Sequence, residues 1–336
     1  MHLGLIGAGN ISATHLRAAQ MVPGVVVSAV YSPTLEKSRR LAEIAGAVPY
    51  GHFEEFLSHK PLDIVAIGSP SGVHAEQTIA AAERGLHALV EKPLDISCAR
   101  VDSVIAAAER HAVRVGVFFQ DRLKPDIVRV KQMIDEGRLG VPVMASGRVK
   151  WHRPPEYFAQ SRWRGTHALD GGGALMNQGI HTVDLLQWLF GAVVSVSAMV
   201  ATRVHAIEVE DTAAAVLTFR NGAIGVIEAA TSVFPGYSRR LELTGSEGTL
   251  VVEQDSLVAT DLRSGRAAAV DTAGAAAVSA TVGDAAPHAR VLEDFIDAIR
   301  TGRAAACDAR EGRKSVAIVE AIYGAARTGR MEAIGS

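Results

Sequence analysis

The first third of the chain alternates short apolar runs with stretches of helical period. Leu3–Gly7, Val25–Tyr31, Asp63–Gly68, Leu86–Val90 and Val113–Phe119 have the length and β-branched content of buried strands. Between them, Ile11–Met21, Leu35–Ala45, Val73–Arg84 and Ile96–His111 read as helices. Gly46 and Gly85 follow two of these helices, where a left-handed C-cap is wanted. Strand–helix alternation at this spacing predicts a parallel sheet with helices on both faces.

Beyond Val141 the strand candidates come in succession: Val143–Val149, Val193–Val204, Thr212–Phe219, Ala223–Ala230, Arg239–Thr244 and Thr249–Gln254. Asn221-Gly222 predicts a type I′ hairpin, and Gly245 to Gly248 a second tight connection. Successive strands joined by tight turns predict a largely antiparallel sheet. A helical pattern runs from Ala174 to Phe190, loops are expected over Ser264 to Ala286, and Ala289–Thr301 and Ala309–Thr328 read as closing helices. The fold class is therefore α/β in a doubly wound parallel-sheet domain over residues 1–120, followed by an α+β domain over 121–336.

A length of 336 residues suits that division into two domains. A formal net charge of −2 gives no basic field for nucleic acid and no polybasic patch for a membrane, so neither partner is expected. Cys98 and Cys307 are the only cysteines and show no CxxC spacing; a disulfide framework is excluded and a reducing compartment fits. The chain passes from Met1 and His2 into an apolar run and a glycine loop, with no basic segment or cleavage site. The longest nearly apolar run, Gly191–Ala201, is too short to span a bilayer. A cytoplasmic location is expected.

Gly7-Ala8-Gly9-Asn10-Ile11-Ser12 follows the first strand and opens the first helix. Gly7 allows the tight turn, and Gly9 lets the backbone approach a pyrophosphate at the helix N-terminus, with Asn10 and Ile11 beside it. Ser12 replaces the usual third glycine, a position that governs helix–strand packing more than phosphate contact. The setting, a strand before and a helix after, identifies a dinucleotide loop. At the end of the second strand Ser32 stands where an acid would hold the ribose hydroxyls of NAD. Lys37, Arg39 and Arg40 follow, and serve either a 2′-phosphate or a solvated helix face. NAD or NADP is the expected cofactor, with a lean towards NADP or relaxed choice.

The strand Leu86–Val90 ends in Glu91-Lys92-Pro93. Ligands bind beyond the carboxyl ends of strands in such sheets, so Lys92 is placed to meet the nicotinamide end and stabilise a developing alkoxide. The Lys92–Pro93 bond is expected to be cis. From these features onward the sequence resembles the glucose–fructose oxidoreductase and inositol dehydrogenase family, Gfo/Idh/MocA. The Gly7-x-Gly9 loop, Ser69-Pro70 with His74, Glu91-Lys92-Pro93, Gly171-Gly172-Gly173, Asn177-x-x-x-His181-x-x-Asp184, Asp294-Phe295 and Ala298-Ile299 recur in that family's order. The resemblance implies a Rossmann domain, then an open-sheet substrate domain that often mediates dimers or tetramers. It implies NAD(P)-dependent hydride transfer at a secondary alcohol of a sugar, sugar acid or cyclitol, with Ser69, Pro70, His74 and Glu91 on the cofactor side.

Asn177, His181 and Asp184 fall at i, i+4 and i+7, one stripe of the Ala174–Phe190 helix. His181 is read as the group that exchanges a proton with the substrate hydroxyl, its tautomer fixed by Asp184 or a backbone group. A buried histidine satisfied by Asp184 is the alternative, and the family motif favours the first. No further His or Cys completes a ligand set there, so no metal is expected. Inositol-dehydrogenase-like members of the family carry aspartate where this chain has Asn177, whereas dehydrogenases of nucleotide-linked amino sugar acids carry asparagine. Asn177 cannot take up a proton, and is expected to orient the substrate.

Trp151, His152, Arg153, Tyr157, Trp163 and Arg164 crowd the start of the second domain. Aromatic rings with arginines suit either a sugar with a carboxylate or phosphate, or a protein interface. Trp163, Arg164 and Tyr237 are candidate substrate contacts, and Gln120, just after the last strand of the first domain, is a candidate cofactor contact. The leading reading is a sugar or cyclitol dehydrogenase working as a homodimer or homotetramer. A same-fold reductase of a non-sugar carbonyl and a non-catalytic cofactor-binding sensor are the competitors. The pairing of Lys92 with His181 argues against the sensor.

Overall fold

The computed structural model describes residues 1–263, 265–267 and 284–335. The first domain runs β1 (His2–Ile6), α1 (Asn10–Met21), β2 (Val26–Tyr31), α2 (Leu35–Ala45), β3 (Val48–Tyr50), α3 (Phe53–Leu57), β4 (Ile64–Ile67), α4 (His74–Glu83), β5 (His87–Val90), α5 (Cys98–Arg110) and β6 (Val115–Val117). Its six strands are all parallel in the order β3-β2-β1-β4-β5-β6. The order reverses between β1 and β4, the place where a doubly wound sheet opens a ligand crevice at its carboxyl edge. β4 is buried throughout and β1 from Leu3 onward, as strands covered on both faces must be. β3 and α3 escape the sequence pattern because a Val-Pro-Tyr strand and a single helical turn are too short to show a period. α3 nonetheless matters to β1: a Cβ on Gly4 would lie 2.7 Å from the Phe56 ring.

The chain continues with α6 (Pro125–Asp135), β7 (Pro142–Lys150), α7 (Pro155–Ala159), a wide π-type turn over Ala174–Gly179, α8 (Ile180–Phe190), β8 (Val193–Ala201), β9 (Thr212–Phe219), β10 (Ile224–Ala230), β11 (Arg240–Gly245), β12 (Gly248–Glu253), β13 (Ser256–Leu262), β14 (Gly265–Ala267), α9 (Ala286–Thr301), α10 (Ala309–Thr328) and β15 (Glu332–Ala333). The nine-stranded sheet has the order β14-β13-β12-β11-β7-β10-β9-β8-β15. All its pairs are antiparallel except β7 with β10. β9 alternates strictly, burying Ala213, Ala215, Leu217 and Phe219 and exposing the residues between them. α8 covers the buried face so closely that a Cβ on Gly147 of β7 would meet Thr182 and Leu186 at 2.6 and 2.8 Å.

Three sequence expectations change. Residues 121–336 do not form one unit: the chain divides into Met1–Gln120 with Thr281–Arg313, and Asp121–Ala280 with Lys314–Ser336. α9 returns to the first unit, burying Val291, Leu292, Phe295 and Ile296, and Phe295 lies where a Cβ on Gly116 of β6 would be 2.8 Å from its ring. The periodicity of α9 shows that one face is buried, but not which sheet receives it. The Asn221-Gly222 turn is not type I′, because only Gly222 has positive φ (+88°). Gly222 donates to the Phe219 carbonyl at 3.0 Å and Asn221 donates to the Phe190 carbonyl at 2.7 Å, giving a three-residue hairpin closed by a left-handed glycine. The loop expected over 264–286 falls mostly outside the described residues; within the described part, Gly265–Ala267 form β14, and Asp284 and Ala285 lead into α9 at Ala286. Among the described residues no helix is long and apolar enough to cross a membrane.

Candidate active site

β1 hands the chain to Gly7, whose φ is +102° and where a Cβ would lie 2.8 Å from the Gly68 carbonyl oxygen. Only glycine fits that turn. Gly9 precedes α1, and nothing lies within 4 Å of the Cβ it lacks. No acidic residue occupies the first turn of α1 and no side chain caps it, so Asn10 and Ile11 open a helix whose first N–H groups remain for an anion. Ser12 is buried beside Gly68, where a Cβ would come within 3.2 Å of its hydroxyl, in agreement with a packing role. These residues fit a dinucleotide. Ser32 is buried after β2, and its hydroxyl accepts from the Thr34 N–H at 3.3 Å. Arg40 pairs with Glu36 on the surface, and Lys37 and Arg39 are exposed.

Lys92 lies beyond the end of β5, at the same carboxyl edge of the sheet as the glycine loop, and the Lys92–Pro93 bond is cis. Glu91 turns inward. Its Oε1 accepts from His15 Nε2 at 2.9 Å with His288 Nε2 at 3.6 Å, and its Oε2 accepts from the Lys92 backbone N–H at 3.2 Å. Burial opposes its charge, yet hydrogen bonds from the two imidazoles hold its carboxyl well below the ordinary glutamate range. Burial also pushes His15 down, against the pull of Glu91. His74 is buried, with Nδ1 2.8 Å from the Pro93 carbonyl and Nε2 2.9 Å from the Ser69 carbonyl. Both side chains are engaged within the protein, at the turn that carries Lys92. Ser69 donates its hydroxyl proton to Gln77 at 2.6 Å, and Pro70 leads into a single turn over Ser71–Val73. His15, Glu91 and His288 are also the one group among the described residues whose potential ligand atoms converge, within 4.8 Å, and the 2.9 Å contact is a direct hydrogen bond.

In the second unit the glycine run introduces the helical segment by close approach. A Cβ on Gly172 would sit 2.0 Å from the Tyr323 hydroxyl, and one on Gly173 would sit 2.0 Å from the Glu210 carbonyl oxygen. Glu210 accepts from the N–H groups of Gly173 and Leu175 at 3.0 and 2.8 Å and from Tyr323 at 2.9 Å, capping the turn. Asn177 donates to Asp170 at 2.5 Å and accepts from Gln178 at 2.9 Å. His181 stands at the start of α8, 13% exposed, with Nδ1 3.7 Å from Asp121 Oδ2.

The carboxylate beside His181 is thus Asp121, and the expected role of Asp184 is corrected. Asp184 is buried and accepts from Arg122 at 2.7 and 2.8 Å and from Ser315 at 2.9 Å. Burial opposes the Asp121 charge, but Arg239, His181 and Lys124 together hold its carboxyl far below the ordinary range. Arg239 and Lys124 each reach it at 2.6 Å. A fixed anion beside a partly exposed imidazole favours the imidazolium that forms when the ring takes a proton. Asp121 had no local signal, since it lies 60 residues from His181 in sequence.

Gln178 ties Asn177 to the aromatic–arginine cluster, donating to the Tyr157 hydroxyl at 2.9 Å and accepting from Arg153 at 2.7 Å. Arg164 lies over the Tyr157 and Trp163 rings, 4.5 and 5.2 Å from their centroids. Trp163 and Arg164 are therefore brought to the Asn177 network. Tyr237 is not: its side chain is exposed, and its backbone N–H donates to the Lys150 carbonyl. Gln120 closes the first unit with its side-chain oxygen buried.

A model of the oxidoreductase family with an NAD-binding Rossmann fold matches residues 1–119, and one of the GFO/IDH/MocA C-terminal domain matches 127–251. The chain belongs to the Gfo/Idh/MocA oxidoreductase family. Like other members of this family it is an oxidoreductase of CH–OH groups with an NAD-binding first domain. It is 27% identical over 272 residues to the myo-inositol 2-dehydrogenase of Thermotoga maritima, covering 78% of each chain. It is 28% identical over 335 residues to the D-apiose dehydrogenase of Paraburkholderia graminis, covering 97% of this chain and 88% of that one. The crystal structure of the WlbA dehydrogenase from Bordetella pertussis, in complex with NADH and UDP-GlcNAcA, matches with a TM-score of 0.89 and 31% identity, over 100% of this chain and 99% of that one.

Proposed function

We propose that this protein moves hydride between a secondary alcohol of a sugar, sugar acid or cyclitol and NAD or NADP, with Lys92, His181 and Asn177 acting on the substrate. The observation that carries this reading is His181 at the start of α8, beside the ionised Asp121 and one turn from Asn177. The nicotinamide supplies the hydride acceptor. Gly7, Gly9, Asn10 and Ile11 hold its dinucleotide, with Ser32 at the adenosine ribose. As alcohol becomes ketone, the hydroxyl proton passes to His181, whose imidazolium Asp121 stabilises. Lys92, kept cationic on a turn fixed by Glu91 and His74, stabilises the alkoxide character that drives hydride loss. Asn177, held by Asp170 and Gln178, orients the substrate without taking a proton.

Relatives named for inositol and apiose, and a neighbour bound to UDP-GlcNAcA, support a polyhydroxylated substrate. The outward face of the nine-stranded sheet exposes Met144 and Ile224, partners in register, together with Val216 and Met199 on β9 and β8, which supports a homodimer or homotetramer through that face. The reading is tested by incubating the protein with NAD or NADP and a panel of sugars, sugar acids and cyclitols while following absorbance of the reduced cofactor. Turnover of at least one member is expected; tight cofactor binding with no turnover across the panel would favour a sensor.

A further inference from the structure

Two arginines in the second unit carry charge that no carboxylate answers. Arg153 is 9% exposed, with its guanidinium 5.1 and 5.2 Å from the Trp151 and Tyr157 ring centroids. Arg164 shares the Tyr157 ring from 4.5 Å. Neither side chain forms an ion pair among the described residues; the one hydrogen bond from either guanidinium goes from Arg153 Nη2 to the neutral amide of Gln178. The Nε of each is buried with no hydrogen-bond partner. Burial pushes the Arg153 guanidinium below its ordinary value against the pull of Tyr157, and the charge of Arg164 adds to the lowering. Elsewhere in this unit buried arginines are answered: Arg122 by Asp184, Arg239 by Asp121. A buried guanidinium without a counter-charge is costly unless something else supplies one.

From this cluster we infer an anion subsite: Arg153 and Arg164 receive a carboxylate or phosphate group of the substrate, so the alcohol oxidised is that of an anionic sugar. The inference rests on the dehydrogenase reading above and narrows it. The guanidinium fork matches either oxyanion bidentately, and the aromatic rings keep both forks oriented at small entropic cost. Gln178 joins Arg153 to Asn177 through one side chain, so an anion seated on the arginines lies next to the residue that orients the substrate. The subsite thereby selects substrates by charge as well as by hydroxyl pattern.

The test uses the protein loaded with NADH, so that the dinucleotide loop is filled, at fixed ionic strength set with chloride. Calorimetric titration with malonate and with inorganic phosphate separates the carboxylate from the phosphate source, and sorbitol serves as the neutral control. At least one anion is expected to bind, and Arg153→Gln and Arg164→Gln should each weaken it tenfold or more while leaving the sorbitol titration unchanged. Arg164→Gln, at the less buried position, keeps the test open if Arg153→Gln fails to fold. No anion binding by the native protein, or equal binding by all three, overturns the subsite. Reduced-cofactor absorbance reads hydride transfer separately. Anion binding without turnover on any sugar overturns the dehydrogenase reading and leaves the subsite, and turnover on neutral sugars without anion binding does the reverse.

Discussion

At the residue scale, the proposed choice between NAD and NADP turns on Ser32. It is buried after β2, offers a hydroxyl where a carboxylate would favour NAD, and already accepts a backbone N–H from Thr34. Ser32→Asp should shift preference towards NAD by an order of magnitude or more, because an anion there repels a 2′-phosphate. Comparing Kd for NADH and NADPH in both proteins checks this, and a native protein that already binds NADH far more tightly than NADPH would contradict it. At this scale Gly7, Gly9, Lys92, Asn177 and His181 stand out in the sequence as candidates because each carries a local motif. Asp121, His15 and His288 do not, since their roles arise from contacts with residues 60 or more positions away. Asp184 misled for the complementary reason: helical spacing put it on the His181 stripe, whereas the structure turns it to Arg122.

α8 works as an element because it is anchored at both its turn and its flank. The glycine run brings the preceding turn against Glu210 and Tyr323, and the Arg122–Asp184 pair, with Ser315, fastens its inner side. Asp184→Ala removes the carboxylate that pairs with the buried Arg122 guanidinium, and breaking a buried pair should cost about 3–5 kcal/mol of stability. Urea unfolding measures that loss; the activity per folded molecule should stay close to native. A variant with native stability and lost turnover would return Asp184 to the proton-handling role. The longer elements were mostly legible from period and length, and α2, β9 and α10 match their expected bounds. α6 went unread although Pro125 at its start and Ile127, Val130 and Met133 at three-residue spacing mark it. The wide turn over Ala174–Gly179 has no sequence mark apart from the glycines before it.

For the whole molecule, the return of α9 to the first unit places His288 against Glu91, and in that buried cluster His15 and Glu91 make stability depend on pH. His15 has its folded value lowered, so below about pH 6.5 the unfolded chain takes up a proton that the folded chain resists, and stability falls as pH falls. His59 and His87, lowered by burial, act in the same direction. Glu91, also lowered, adds a further loss as pH drops below about 4.3 towards its folded value. Urea unfolding across pH 4–8 should show this decline, and His15→Gln should flatten the part between pH 5 and 6.5; parallel curves for the two proteins there would contradict it. The division near residue 120 could be read from the change of pattern, whereas the second crossing could not, because amphipathicity does not name the surface it covers. The central claim is that Lys92 and His181 serve one hydride-transfer step, and a double-mutant cycle on turnover tests it most directly. Lys92→Ala should lower kcat by orders of magnitude with NADH affinity nearly intact, and His181→Ala by about 10²–10⁴. The double variant should be little worse than the poorer single. Near-native kcat in His181→Ala, or losses that multiply in the double variant, would contradict the claim.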